Sequence, residues 1–225
     1  MPVFQLTDAL QFPDPRQADP DGLLAVGGDL KPERLLLAYT QGIFPWYGAD
    51  SPILWWSPPK RAIFLPGDER FSRRTLRALR SCAFEIRWDT RFQEVIRHCA
   101  EVPRQDQGGT WITPGMQDAY SALHHLGHAH SVEAYRGGRL VGGLYGLAVG
   151  AAFCGESMFS LEDYASRAAF QALCERLWIR GFQFIDGQLP NDNLTALGAR
   201  TISRMEYMNH LEKARLPGGA GWSRA

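Results

Sequence analysis

The sequence predicts an α+β fold: a small, largely irregular N-terminal lobe over residues 1–60, then a larger domain over residues 61–225 with a mostly antiparallel or mixed sheet flanked by helices. Three observations lead there. Turn-forming residues crowd the start, from Pro13, Pro15 and Pro20 through Gly27 and Gly28 to Pro58 and Pro59, whereas regular strand and helix spacings begin near residue 61. Across residues 131–157, SVEAYRGGRLVGGLYGLAVGAAFCGES, apolar stretches follow one another with short glycine joints, the pattern of neighbouring antiparallel strands. A long helical pattern, EDYASRAAFQALCERLWIRG, comes next and is too long to belong to that sheet.

Each element has its own local reason. In the N-terminal lobe one short helix is predicted, with Pro32 in its first turn after Asp29 or Leu30, the run ERLLLAYT, and Gly42 as its stop. The aromatic clusters IFPWY and ILWWSPP fall in the irregular parts. The larger domain opens on a strand, RAIFL, followed by a helix over 70–80, a strand AFEIRW and a helix over 91–100. A further helix runs from Pro114 to about Leu126, where Gly127 ends it. RGG supplies the first turn of the strand series and Gly150 the second. In the long helix Ala165, Ala168, Ala169, Ala172, Leu173 and Leu177 recur at helical spacing, and Gly181 ends it. A strand FQFID then opens into GQLPNDNL, and LPGGAGWSRA reads as a frayed tail.

Composition narrows the function classes. Twenty-four basic and twenty-four acidic residues leave formal net charge zero, so a polyanion can be held only by a local patch. The start lacks a basic run followed by an apolar segment, and no run of about 18 apolar residues occurs, so a cytoplasmic protein without a membrane partner is expected. Cys82, Cys99, Cys154 and Cys174 form no Cys-x-x-Cys pair, which fits reduced thiols and no structural metal. His124 and His128 in HHLGHAH could share a helix face as zinc ligands, but Gly127 falls between them and no acidic or cysteine ligand is near in sequence, so no metal is assigned.

Four groups of residues could carry chemistry. In RFSRRTLRALR, Arg70, Arg73, Arg74, Arg77 and Arg80 recur at three- and four-residue steps, opposite Phe71, Thr75, Ala78 and Leu79. Arginine forks match phosphate oxygens, so this comb suits an RNA backbone; an ordinary solvated basic face is the alternative. Asp186 and Gln188 end a hydrophobic strand two residues apart, which on a regular strand turns both to one side, where they can converge on a ligand or form a local turn. Tyr39, Trp46, Tyr47, Trp55, Trp56, Trp111 and Tyr120 supply aromatic faces for stacking on bases or walling an apolar pocket, with inter-lobe packing the rival for Trp55 and Trp56. Lastly, Glu156 stands between Gly155 and Ser157 in FCGESMF, a carboxylate that is costly to bury unless it is paired, hydrogen-bonded or used.

The plan of helices, antiparallel strands, long helix and strand resembles the GNAT acetyltransferase architecture. Taken in order, GLLAVGGDL, GIFPWY, ILWWSP, TWIT, LGHAHSVE, LVGGLYG, FCGESMFS, ASRAAF and IDGQLPNDNLTALGA resemble the leucyl/phenylalanyl-tRNA–protein transferase family over nearly the whole chain. The resemblance implies a small N-terminal domain and a GNAT-like catalytic domain that moves leucine or phenylalanine, and also methionine, from its tRNA to the N-terminal lysine or arginine of a protein, marking it for N-degron degradation. No cofactor is implied. By the same resemblance Asp186 and Gln188 occupy the catalytic Asp-x-Gln positions, and Glu156 and Met158 lie in the Cys-Gly-Glu-Ser-Met segment. Tyr39, Trp46 and Trp111 match aromatics used around the donor's terminal adenosine and side chain, with Tyr120 beside them among the substrate-binding residues. Leu144 stands where the family often has methionine, leaving the pocket apolar but less pliable.

An aminoacyl-tRNA ester is already activated, so the chemistry needs alignment, a route for the amine proton and stabilisation of the tetrahedral oxyanion. Asp186 is expected to orient and polarise Gln188 and the incoming amine, and Gln188 to position the scissile ester. Glu156 is expected to hydrogen-bond donor or acceptor at the pocket edge, with Leu144, Phe153 and Met158 as apolar wall, while Asp186 and Glu156 together meet the acceptor's cationic side chain. Arg73, Arg74 and Arg77 are the expected contacts to tRNA phosphates. Two other classes compete. A GNAT-type acyl-CoA transferase needs a pyrophosphate-binding turn opening a helix, and RLVGGL lacks its final small residue and continues as strand. A tRNA-binding module without catalysis needs only the comb and the aromatics, and activity on charged tRNA separates it from an enzyme.

Overall fold

The computed structural model describes residues 3–102, 110–215 and 222. In chain order the elements are β1 (Phe4–Leu6), β2 (Leu23–Gly27), α1 (Pro32–Thr40), β3 (Phe44–Pro45), β4 (Leu54–Trp56), β5 (Lys60–Phe64), α2 (Arg73–Cys82), β6 (Glu85–Trp88) and α3 (Phe92–Glu101). There follow α4 (Pro114–His125), β7 (Ala129–Arg136), β8 (Arg139–Val149), β9 (Ala152–Ser160), α5 (Ala165–Ile179), β10 (Phe184–Gln188), α6 (Asp192–Leu197), β11 (Arg200–Ser203) and α7 (Arg204–Ala214).

The N-terminal region is not irregular. Its short strands form a four-stranded sheet in the order β1-β2-β4-β3. Strands this short, set among prolines and glycines, carry no readable alternation, and the sheet holds because Trp55 is fully buried and donates its Nε1–H to the Gly27 carbonyl at 2.9 Å. Trp56 likewise donates to the Trp46 carbonyl at 2.7 Å.

The larger sheet has seven strands in the order β11-β5-β10-β9-β8-β7-β6. All neighbours are antiparallel except β9 and β10, which run parallel. The RGG joint is a tight hairpin turn with Gly137 and Gly138 both at positive φ, 56° and 75°, which their missing Cβ permits. α5 buries Ala169, Phe170, Leu173 and Leu177 in a cluster with Val132, Leu144 and Phe153, and Ala165 against Ala134 and Val141. A second cluster joins Phe92, Val95 and Ile96 of α3, Tyr120 and Leu123 of α4, and Leu35, Ala38 and Tyr39 of α1 to Tyr145, Leu147 and Cys154 of the sheet. The four-stranded sheet shares this second cluster through Leu24, Ala25, Phe44 and Trp55.

Several boundaries differ from expectation for local reasons. α2 starts at Arg73, because Ser72 caps it by accepting from the Thr75 N–H, so Arg70 and Phe71 precede the helix. α5 starts at Ala165, three residues later than the pattern suggests, after Tyr164 at φ 70°. α4 ends at His125, so His128 is not on a helix face with His124, whose Nδ1 instead lies 2.8 Å from the Ala129 carbonyl. Most of the expected tail lies outside the described residues. Trp222 is described and is docked: its ring stacks on His130 at 4.3 Å and on Phe153 at 5.6 Å, and its Nε1–H donates to Asp89 at 2.9 Å.

A candidate active site where two strands part

β9 and β10 pair over only three residues, Ala152–Cys154 against Phe184–Asp186. Beyond that β9 continues along β8 and β10 along β5, and each carries one extra residue at the parting. In β9, Tyr145 faces Ser157 and Gly146 faces Gly155, so Glu156 is the extra residue. In β10, Asp186 faces Ile63 and Gln188 faces Ala62, so Gly187 is. Such bulges re-aim side chains. Gln188 holds a left-handed backbone at φ 61°, a conformation that costs a glutamine about 1–3 kcal/mol where the surroundings impose it.

The second bulge breaks the count that placed Asp186 and Gln188 on one side. Asp186 is fully buried. Its carboxylate accepts from Arg61 Nε at 2.8 Å and Nη2 at 2.6 Å, from the Tyr207 hydroxyl at 2.9 Å and from the Gln188 backbone N–H at 2.8 Å. It holds Gln188 through that residue's backbone N–H. It does not form a shared negative surface with Glu156, because Arg61 neutralises it.

Glu156 gathers the polar groups of the parting. Oε1 accepts from the Tyr39 hydroxyl at 2.7 Å and from Gln188 Nε2 at 2.8 Å, and Oε2 accepts from the Tyr120 hydroxyl at 3.2 Å. The Tyr39 and Tyr120 hydroxyls also meet each other; two phenol protons serve two of these three contacts at a time, and the third is served when Glu156 itself carries a proton. Glu156 keeps a little surface open to solvent while protein crowds it on most sides. Burial raises its pKa; hydrogen bonds from Tyr39 and Tyr120 and the Arg61 charge pull it down and Asp186 pushes it up, leaving it at about 8. Both phenols are pushed well above their ordinary range, first by burial and then by the Glu156 charge, so they remain protonated donors at neutral pH.

Tyr39 and Tyr120 thus sit in helices, inside the core, and present their hydroxyls to Glu156 and not their faces to a base. Trp46 and Trp111 are partly buried against the same cluster, and Trp46 meets Trp56 edge-on at 5.6 Å. Leu144 and Phe153 are buried in the cluster under α5, with Met158 partly exposed beside them. They belong to a different layer from Tyr39, Tyr120 and Cys154, so the expected apolar wall and the Glu156 group do not form one continuous lining. Between them stands Gly155, where an added Cβ would approach only the Asp186 carbonyl, at 3.5 Å. That leaves room beside the parting. A groove of about 740 Å³ between Pro15, Arg16, Thr40 and α7 holds none of these residues.

Arg73, Arg74, Arg77 and Arg80 are all exposed on α2 and, among the described residues, form no ion pair. Sequence reasoning missed Arg61 and Tyr207. The signal for Arg61 was present: a single cation opening the otherwise apolar run RAIFL requires a buried partner.

A model of the family described as leucyl/phenylalanyl-tRNA protein transferase matches residues 63–212, and a model of that family's N-terminal domain matches residues 28–59. A leucyl/phenylalanyl-tRNA–protein transferase of Solidesulfovibrio magneticus is 54% identical over 96% of this chain and 87% of its own length. One of Nitratidesulfovibrio vulgaris is 53% identical over 92% of this chain and 88% of its own. One of Syntrophobacter fumaroxidans is 53% identical over 94% and 90%. With two family models and relatives of this identity spanning almost its full length, the chain belongs to the leucyl/phenylalanyl-tRNA–protein transferase family.

Proposed function

We propose that the transferase reaction runs at the parting of β9 and β10, moving leucine, phenylalanine or methionine from its tRNA to the N-terminal lysine or arginine of an acceptor protein. The observation that carries this is Glu156: a carboxyl group raised to about 8, held by Tyr39, Tyr120 and Gln188 beside open space. An α-amine titrates near 7.7–8.0, so a proton passes between amine and carboxylate with little energetic penalty.

The acceptor's neutral amine attacks the ester carbonyl carbon, forming a tetrahedral intermediate. Glu156 as carboxylate takes the proton that the new C–N bond forces off nitrogen. The C–O bond to the ribose then breaks, and that proton goes to the departing ribose oxygen, leaving an amide and uncharged tRNA. Gln188 holds the ester in register, and Asp186 fixes Gln188 through its backbone N–H. Asp186, paired with Arg61, offers no free charge to the acceptor's cationic end.

In this reading residues 1–60 form a domain that brings Tyr39 and Trp46 to the site, and residues 61–225 form the catalytic domain. Trp46 and Trp111 stack against the terminal adenosine, Met158, partly exposed over the buried Leu144 and Phe153, gives the donor side chain an apolar contact, and Arg73, Arg74 and Arg77 hold tRNA phosphates. The place of action is the cytoplasm, where charged tRNA is found, and the modified proteins pass to N-degron degradation. No helix among the described residues is long and apolar enough to cross a membrane.

The experiment is transfer of labelled leucine from Leu-tRNA to peptides beginning with arginine, lysine, glutamate or N-acetylarginine. Label on the first two alone supports the reading. Label on the glutamate peptide, or on none, overturns the acceptor assignment.

A further inference from the structure

Arg61 is the second residue of β5, its guanidinium buried, with the exposed Lys60 before it and Ala62, Ile63 and Phe64 after it. Besides its two bonds to Asp186 it donates from Nη1 to the Gly42 carbonyl at 3.2 Å and from Nη2 to the Tyr207 hydroxyl at 3.3 Å. Its flat face lies 4.2 Å from the Tyr207 ring and 4.7 Å from that of Phe44. A fork held on so many sides has one geometry.

Two of these contacts lead to Glu156 by separate routes. Through Asp186 the fork reaches the Gln188 backbone N–H and hence Gln188 Nε2. Through Gly42 it reaches the end of α1: the Gly42 N–H donates to the Tyr39 carbonyl at 3.1 Å, in a turn that needs a residue at φ 76°. Tyr39 and Gln188 then donate to the same oxygen, Glu156 Oε1, at 2.7 and 2.8 Å.

We propose that Arg61 is a positioning residue for the transfer: by spanning Asp186 and the Gly42 carbonyl it sets the separation of Gln188 Nε2 and the Tyr39 hydroxyl, and so the aim of Glu156. The proposal rests on the reading of Glu156 as the group that takes the amine proton. Arg61 touches no reacting atom. A buried ion pair is often no more stabilising than apolar residues of the same volume, so stability alone does not account for this one, whereas a fixed fork accounts for two donors meeting on one oxygen.

The test is a double-mutant cycle in the full-length protein with Arg61→Lys and Glu156→Gln, read by single-turnover transfer from saturating Leu-tRNA to an arginine-initiated peptide. Melting curves and filter binding of Leu-tRNA accompany it. Lysine keeps the charge and loses the fork. Arg61→Lys is expected to remain folded, bind Leu-tRNA within twofold of the parent and transfer at least tenfold more slowly. Added to Glu156→Gln it is expected to cost less than a further twofold, because its effect runs through Glu156. Should the lysine variant fail to fold, Arg61→Met with Asp186→Leu removes both charges together and is read in the same cycle. A folded Arg61 variant that transfers at the parent rate, or penalties that multiply in the cycle, overturns the proposal. Undiminished transfer by Glu156→Gln alone instead overturns the reading on which it rests.

Discussion

Gln188 donates from its side-chain amide to Glu156 at 2.8 Å across the point where β9 and β10 cease to pair. Each residue reaches that position because its strand carries an extra residue there. Through Glu156 Oε1, which also accepts from the Tyr39 hydroxyl, the contact links β9 and β10 of the larger sheet to α1.

Glu156 should make stability fall as pH rises. Its folded-state pKa, about 8, lies above the ordinary value of 4.5. Below about pH 4.5 both states hold the proton and nothing is lost; between about 4.5 and 8 the unfolded chain releases it first, so folding weakens; above 8 the penalty is constant. The ceiling is roughly 5 kcal/mol, at about 1.36 kcal/mol per pKa unit. Glu156→Gln should therefore be more stable than the parent at pH 8 and lose that advantage towards pH 4.5, as read by denaturant melts across the range.

Asp186→Ala should cost stability as well as turnover. It strands the buried Arg61 without a counter-charge, a loss of about 3–5 kcal/mol, and frees the Gln188 backbone N–H. Chemical melts should show the first loss and single-turnover transfer the second, with tRNA affinity by filter binding nearly unchanged for the folded fraction. A variant of parental stability and parental rate would contradict the placement of Asp186.

Tyr39→Phe and Tyr120→Phe should be coupled. Each removes one donor to Glu156 and also breaks the bond between the two hydroxyls. Either should slow transfer about tenfold or more, and the double variant should cost less than the product of the two. Independent, fully multiplying effects would mean that the hydroxyls do not act on one carboxyl group.

The arginines of α2 should govern tRNA affinity and not chemistry. Each phosphate contact adds up to roughly 0.7–0.9 to the slope of log affinity against log salt, so glutamine at Arg73, Arg74 and Arg77 should flatten that slope and raise the Michaelis constant for Leu-tRNA. Transfer from a minimal aminoacylated adenosine should be spared. Equal loss of both reactions would make the helix structural.

The strand series from Ala129 to Ser160 was legible because its turns are written in glycine and its apolar residues alternate locally, and α5 because its small residues repeat at helical spacing. The four-stranded sheet was not, since strands of two to five residues show no periodicity and pair across long loops. The bulges at Glu156 and Gly187 were invisible for a related reason: counting along one strand assumes an unbroken register, and the extra residue exists only relative to the partner. Arg61 and Asp186 lie 125 positions apart, so each could be seen as a charge needing a partner without the partner being named. Trp222 sits in a glycine-rich stretch that reads as tail, and its docking rests on distant partners, the stacked rings of His130 and Phe153 and the Asp89 carboxylate.

The most direct test is single-turnover transfer of leucine from Leu-tRNA to an arginine-initiated peptide, by the parent and by Glu156→Gln, from pH 6 to pH 9. The parent should form labelled peptide at a rate that rises with pH and levels above about 8, as Glu156 and the amine lose their protons. Glu156→Gln should bind Leu-tRNA within twofold of the parent yet transfer about 10²-fold more slowly or worse across the range. A Glu156→Gln protein that transfers at the parental rate with the parental pH profile would contradict the assignment of this carboxyl group to the amine proton.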